Sequence, residues 1–93
     1  MNAPPSADST PRLPRGVRLK HDKVRGEWLL LAPERVIKAN AIAVAVLERC
    51  DGVRTLREIV DDLAQTYSAD RGVIESDVTM LINDLAVKRM VDL

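Results

Sequence analysis

The segment from Leu29 to Lys38, with the sequence LLLAPERVIK, constrains the fold of this chain more than any other stretch. Pro33 has a fixed φ angle and no amide hydrogen, so it belongs in a turn or at the edge of a sheet. An apolar run precedes this proline, and Arg35 to Lys38 resume an extended pattern after it. The segment therefore predicts two strands joined by a tight turn, with the second strand exposed at a sheet edge.

A further strand is predicted upstream and three helices are predicted downstream. Val17 to Lys20 alternates apolar and polar residues, and the turn residues of Asp22 to Gly26 separate it from the apolar strand Glu27 to Leu31. Asn40 is a suitable N-cap for a helix over Ala41 to Cys50, which Asp51 and Gly52 are expected to end.

The second helix begins at a capping box, in which Thr55 and Glu58 have the Thr-x-x-Glu spacing. Its apolar positions, which include Tyr67, follow helical periodicity. A third helix is predicted to run to about Met90 after a break at residues 68–70. One face of that helix carries an apolar stripe of Ile74, Val78, Leu81 and Leu85.

This order of elements predicts an α+β fold that is winged-helix-like, with a three-stranded antiparallel β-meander followed by three α-helices. Residues 1–14 contain four of the five prolines and no periodic apolar pattern, so we expect a mobile N-terminal tail. Residues 15–93 are expected to form one winged-helix-like peptide-binding domain. Trp28 lies within an apolar strand and is predicted to join its core.

Composition excludes several classes of protein. Lys plus Arg and Asp plus Glu are both 14, and this balance argues against a nucleic-acid partner. The longest apolar run, Ala41 to Leu47, is too short to span a membrane.

One cysteine, Cys50, cannot form an intramolecular disulfide and is expected to be a buried structural thiol, which makes the cytoplasm the expected compartment. His21 lies far from Cys50 in sequence, and no motif for catalysis, metal binding or cofactor binding is present, so we predict neither an enzyme nor a bound cofactor.

The exposed third strand suggests a function. An extended peptide that pairs with Arg35 to Lys38 gains main-chain hydrogen bonds, and its alternate side chains enter a groove beside the last helix. Asp77, Asp84 and Lys88 flank the apolar stripe of that helix and are expected to set the charge at the rim of the groove. The predicted peptide-binding residues are Arg35, Val36, Ile37, Lys38, Asp77, Val78, Leu81, Asp84, Leu85 and Lys88.

The chain resembles the PqqD family of pyrroloquinoline quinone biosynthesis, small relatives of the domains that recognise leader peptides of ribosomally made products. The resemblance covers nearly the whole folded part and depends on the order and spacing of short motifs. These motifs are Pro14 to Val17, Leu30 to Val36, Asn40, Asp51-Gly52, Thr55, Ile59, Tyr67, Asp77-Val78 and the pair Leu81 and Leu85.

The resemblance implies a peptide chaperone. Such proteins bind the precursor peptide PqqA and present it to the radical S-adenosylmethionine enzyme PqqE, which joins a glutamate to a tyrosine side chain. The iron–sulfur chemistry then belongs to the partner enzyme, since a single cysteine cannot hold a cluster.

Other interpretations remain open at this point. A winged-helix DNA-binding protein has the same elements, although Asp70, Glu75 and Asp77 at the start of the last helix would repel phosphates. A purely structural subunit without a groove is a third alternative. The exposed edge also predicts a homodimer, through paired third strands or exchanged terminal segments. The basic stretch from Arg12 to Arg25, in which Asp22 is the only acid, is available to an acidic surface on a partner enzyme.

Overall fold

The computed structural model describes residues 5–93, so residues 1–4 of the predicted tail lie outside the described residues. Three strands form an antiparallel sheet in the order β1 (Arg18–Asp22), β2 (Glu27–Ala32) and β3 (Arg35–Ala39). The helices α1 (Ala41–Leu47), α2 (Leu56–Thr66) and α3 (Arg71–Val87) follow. The predicted α+β class, with a three-stranded meander followed by three helices, is confirmed. No helix in residues 5–93 is long and apolar enough to cross a membrane.

The register of the sheet assigns its residues to two faces. Leu30 lies opposite Leu19 on β1 and Ile37 on β3, and directly opposed residues of antiparallel strands share a face. Leu30 is 1% exposed and belongs to the hydrophobic core, against which Leu19 and Ile37 pack. We call the side that carries these three residues the inner face and the opposite side the outer face.

The core is aliphatic and joins the inner face to all three helices. Its most deeply buried members include Val46 of α1, Ile59 of α2 and Ile82 of α3, each with no exposed surface. Full burial of an aliphatic side chain contributes roughly 1.5–3 kcal/mol relative to exposure, so this shared cluster is the main source of stability.

Side-chain caps begin α1 and α2 where the sequence predicts. Asn40 Oδ1 accepts a hydrogen bond from Ala43 N at 2.8 Å, and the capping box between Thr55 and Glu58 is complete. The structure adds a third cap, in which Asp70 Oδ1 accepts from Val73 N at 3.1 Å and begins α3. These caps satisfy backbone donors that a helix leaves unpaired at its first turn.

Two helices end earlier than the sequence predicts. After Leu47 the backbone tightens, because Arg49 N and Cys50 N each bond to the carbonyl three residues before them rather than four. Helix α3 ends at Val87, and Arg89 takes a left-handed φ of 60°. This turn directs Met90 back into the core, where it is 1% exposed.

The described part of the N-terminal segment is held against the helices by hydrogen bonds. Arg12 and Asp92 exchange backbone bonds of 2.9 and 2.8 Å, which bring the two ends of the chain together. The carbonyls of Ser9 and Ala7 accept from the amides of Leu56 and Arg57 at 2.8 and 3.0 Å. The first two amide groups of α2 are therefore satisfied by distant backbone. The partners of these residues are distant in sequence, so composition alone does not reveal the attachment.

Two apolar positions differ from prediction on the third helix and one on the sheet. In α3 the fully buried stripe is Val78, Ile82 and Leu85, whereas Ile74 and Leu81 are only partly buried. Trp28 is also only partly buried, since it lies at the end of the inner face and stacks on His21 with ring centroids 4.6 Å apart. The prediction that Trp28 joins the core is therefore wrong.

Candidate functional site

Strand β3 presents an open edge. Within residues 5–93 it pairs only with β2, and a two-residue turn at Pro33 and Glu34 joins the two strands. A turn of this length closes on a hydrogen-bonded pair, here Ala32 and Arg35, so bonding to β2 recurs at every second residue along β3. The backbone amides and carbonyls of Val36 and Lys38 consequently point away from the sheet, toward solvent.

An apolar groove begins where this edge ends. Three residues of α1 and three from the first half of α3 form its walls, and the end of α2 completes it. We call this cavity of about 240 Å³ the helical groove; it is lined by Ala41, Ile42, Ala45, Leu63, Tyr67, Ile74, Asp77 and Val78. Asp77 is the only charged residue in the lining.

The first turn of α1 positions the wall nearest to the strand. Only Asn40 separates β3 from α1, and its side-chain cap fixes where the helix begins. Ile42, in the first turn, is 60% exposed, and Tyr67, at the end of α2, is 59% exposed. An exposed isoleucine beside an exposed tyrosine in an apolar concavity is typical of a site that binds an apolar group.

A second, more polar groove adjoins the first at the end of the sheet. Its volume is about 630 Å³, and it shares Ala41, Ala45 and Tyr67 with the helical groove. Trp28 lies on its strand side and Glu48 on its helix side. Lys38 and Glu27 also line it and form an ion pair of 3.2 Å. The two grooves are therefore neighbours, separated by shared residues of α1 and by Tyr67.

Only two of the ten predicted binding residues line the helical groove, namely Asp77 and Val78. Asp77 is exposed, whereas Val78 is 1% exposed and forms part of the floor. On β3 the two apolar residues lie on opposite faces, since Ile37 packs against the core and Val36 is 62% exposed. Because successive side chains of a strand point to opposite faces, the two residues cannot face the same groove.

The remaining predicted residues lie elsewhere. Leu85 is a buried core residue and Leu81 packs partly against the core, so neither lines the groove. Asp84 and Lys88 form an ion pair of 3.0 Å in the last turns of α3, away from the groove lining. Arg35 is exposed beside the turn, where its backbone pairs with Ala32.

Three residues that matter most for the groove are absent from that prediction. Ile42, Tyr67 and Ile74 contribute large apolar surfaces, yet each falls on an apolar pattern that predicts a core position. The sequence contains one signal: Ile42 is the second residue of the helix that follows β3, and Ile74 lies one helical turn before Val78. Both positions therefore flank the predicted binding strand and helix.

Charges at the start of α3 are paired in a way that bears on the DNA-binding alternative. Arg71, the only base in the first two turns, donates hydrogen bonds to Asp61 and to Glu75, the latter at 2.7 Å. These bonds raise the pKa of Arg71 above its ordinary value, with the Asp61 bond as the larger cause. The positive charge is thus already engaged by carboxylates, and nothing in this helix favours binding to phosphates.

The thiol of Cys50 is buried and donates to Val46 O at 3.3 Å. Burial raises the pKa of this thiol to about 12, and the nearby charge of Asp51 adds to the effect. The thiolate, which is the nucleophilic form, is therefore scarce at neutral pH. The predicted structural role of Cys50 as a buried thiol agrees with this environment.

Comparison with known proteins gives a consistent result. The family model described as "Coenzyme PQQ synthesis protein D (PqqD)" matches residues 27–91. A relative from Xanthomonas campestris pv. campestris (strain B100), named PqqA binding protein, is 48% identical over 88 residues, which cover 95% of this chain and 96% of the relative.

Two solved structures resemble the fold over almost its full length. The first is the solution structure of the PqqD truncation of Methylobacterium extorquens PqqCD, described as a stand-alone recognition element for ribosomally synthesised and post-translationally modified peptides. It is 46% identical with a TM-score of 0.83, and the match covers 96% of this chain and 95% of that one. The second, the crystal structure of PqqD from Xanthomonas campestris, is 46% identical with a TM-score of 0.62, covering 95% and 98%.

Proposed function

Because this chain belongs to the PqqD family, we propose that it binds the precursor peptide PqqA by strand addition at β3 and presents the peptide to the radical S-adenosylmethionine enzyme PqqE. The chain acts here as a binding protein, and the chemistry belongs to the enzyme. A relative named PqqA binding protein at 48% identity supports the choice of peptide.

One observation carries the proposal: an unpaired strand edge leads directly into an apolar groove. The outward amides and carbonyls of Val36 and Lys38 supply a ladder for an incoming backbone, which any sequence can join. The helical groove, which begins at Ala41 and Ile42, supplies a pocket for apolar side chains of the same peptide. Backbone pairing gives affinity, and the groove fixes the register.

The order of the two parts suggests how the peptide lies. A strand paired with β3 places alternate side chains on the inner and outer faces of the sheet. A peptide that continues past Ala39 meets the two neighbouring grooves, both of which Tyr67 lines. We therefore expect an extended segment on β3, followed by one or two apolar anchors in the helical groove.

An amide chemical-shift titration with the precursor peptide tests location first. Shifts concentrated at residues 35–39 and along the groove residues of α1 and α3 are expected. The absence of shifts at saturating peptide would remove the proposal.

A pair of substitutions then tests strand addition itself. Val36→Pro removes the outward amide, and its ring obstructs the ladder, while an edge strand tolerates proline at such a position. Peptide affinity should fall about tenfold, which corresponds to the loss of one hydrogen bond of about 1 kcal/mol together with the steric obstruction. The control Val36→Thr keeps both the amide and the β-branched shape. Equal affinities for the two variants would contradict strand addition.

The groove is tested by Ile42→Ser against Val73→Ser. Both residues are exposed apolar side chains near the start of a helix, at 60% and 58%, but only Ile42 lines the groove. Weaker peptide binding by the first variant alone is expected, because serine removes most of the apolar surface that the peptide would bury. An equal loss of peptide affinity in both variants would assign the effect to nonspecific hydrophobic binding rather than to the groove.

The open edge also supports a homodimer through paired β3 strands when no peptide is bound. Peptide and second copy would then compete for the same backbone groups. Sedimentation should show the dimer dissociating as peptide is added, and a dimer that persists at saturating peptide would place its interface elsewhere.

A further inference from the structure

The outer face of the sheet carries apolar residues that no helix covers. Leu29 and Leu31 alternate with the inner-face residues of β2, and neither belongs to the residues that pack against the core. Val36 lies directly opposite Leu31 and is 62% exposed. These three side chains form a small apolar patch on the open side of a two-layer protein.

Cations border this patch. The register places Arg18 opposite Leu31, and it places Lys20 and Lys38 on either side of Leu29. Within the described chain Arg18 and Lys20 form no ion pair, in contrast to Lys38, which binds Glu27. Their alkyl stems can lie against the leucines while the charges reach solvent. Two free cations beside an apolar centre suit a surface with the reverse charge.

Position links this patch to the proposed peptide strand. A peptide added at β3 becomes the next strand of the sheet, so that every second peptide side chain joins the outer face beside Val36. A protein that docks on this face therefore touches the patch and the bound peptide together, whereas the helical groove lies on the other side of the sheet.

We propose that the outer face, formed by Leu29, Leu31 and Val36 with Arg18 and Lys20, is the docking surface for an acidic protein surface with an apolar centre on the enzyme that receives the peptide. This inference rests on the proposed function, because the recipient enzyme is the one that processes the bound peptide. Cations at the border increase the association rate with an acidic partner, and burial of the leucines lowers the dissociation rate.

Kinetics of binding between the full-length chain and the radical S-adenosylmethionine enzyme PqqE test the inference, with peptide affinity measured separately for every variant. Lys20→Glu should lower the association rate about tenfold at low ionic strength and should weaken its salt dependence. The matched control Lys23→Glu makes the same charge change in the exposed turn between β1 and β2, away from Leu29 and Leu31. It should have a much smaller effect on the association rate.

Leu29→Ser should increase the dissociation rate, and Val53→Ser is its exposed apolar control on a distant loop. Both outer-face variants should bind the peptide as the unaltered chain does. The affinity of the unaltered chain for the enzyme should be higher when the peptide is bound.

Several outcomes would overturn the inference. Equal association rates for Lys20→Glu and Lys23→Glu would place the enzyme elsewhere. Loss of peptide affinity in the outer-face variants would show that this face is part of the peptide site. A change confined to self-association would make the face a contact between copies of the chain. If the unaltered chain binds the peptide but not the enzyme, this inference and the presentation step are wrong, while peptide binding stands. If the unaltered chain does not bind the peptide, the proposed function itself is wrong.

Discussion

The two faces of the three-stranded sheet both carry leucine residues but have different surroundings. On β2 the run Leu29, Leu30 and Leu31 alternates between them, and only Leu30 is fully buried. The inner face packs on three helices, while the outer face leaves its leucines beside cations. Position relative to the helices, rather than hydrophobicity, decides which leucine stabilises the fold and which remains available to another molecule.

Truncating the two kinds of leucine gives the largest expected contrast. Leu30→Ala should lower the free energy of unfolding by about 3 kcal/mol, because it removes buried contacts and leaves a cavity. Leu31→Ala should cost less than about 1 kcal/mol, as is typical away from a core. Chemical denaturation of both variants measures the difference, and equal losses would break the distinction between the faces.

Acid should weaken the helical layer on which the inner face packs. A hydrogen bond from Arg49 lowers the pKa of Asp62 from its ordinary value of 3.8, and the backbone amide of Thr55, followed by its hydroxyl, lowers the pKa of Glu58 from 4.5. A carboxyl with a lowered folded-state pKa stabilises the protein above its unfolded-state value, and this stability is lost as pH falls through the folded-state value.

The denaturation midpoint should therefore be steady above about pH 5 and fall once the pH drops below 4.5, the ordinary pKa of Glu58. Asp62→Asn removes one of the carboxyls with a lowered pKa, so its midpoint should depend less on pH in this range. An unchanged slope in that variant would mean that the pair between Arg49 and Asp62 does not couple stability to pH.

The smallest expected effect lies at the border of the inner face. His21 stacks on Trp28 with ring centroids 4.6 Å apart and planes 19° apart, and Trp28 lines the larger groove. His21→Ala should cost less than about 1 kcal/mol, since the pair is partly solvated. The fluorescence of Trp28, the only tryptophan, should change in the variant. A loss as large as that of Leu30→Ala would mean that the inner face extends further than its buried residues indicate.

Local signals in the sequence predicted most of the fold. These signals depend on residues close together in the chain: the caps at Asn40 and Thr55, the turn at Pro33 and the alternation of apolar and polar residues in the strands. Each feature lies where the sequence predicts it. The attachment of residues 7–12 was not predicted, because its hydrogen-bond partners on α2 and near Asp92 are distant in sequence.

The candidate site was only partly predictable for the same reason. The open edge of β3 follows from strand order, but the helical groove forms where three helices meet at angles that periodicity does not specify. Tyr67 fits the apolar pattern of α2 yet lies at its last turn, beyond the core, where it is exposed. A pattern identifies an apolar face but not the point at which its neighbour ends.

The bridge between Arg12 and Asp92 closes most of the chain into a loop that two backbone hydrogen bonds complete. If the protein were pulled by tags before residue 5 and after residue 93, the load would pass through this bridge and the adjoining bonds of residues 7–11. The sheet lies inside the loop and would carry no tension until those bonds broke, whereas the start of α2 holds the partners of residues 7 and 9 and shares the load. The sheet and its open edge are thus mechanically shielded from force applied at the two ends of the described chain.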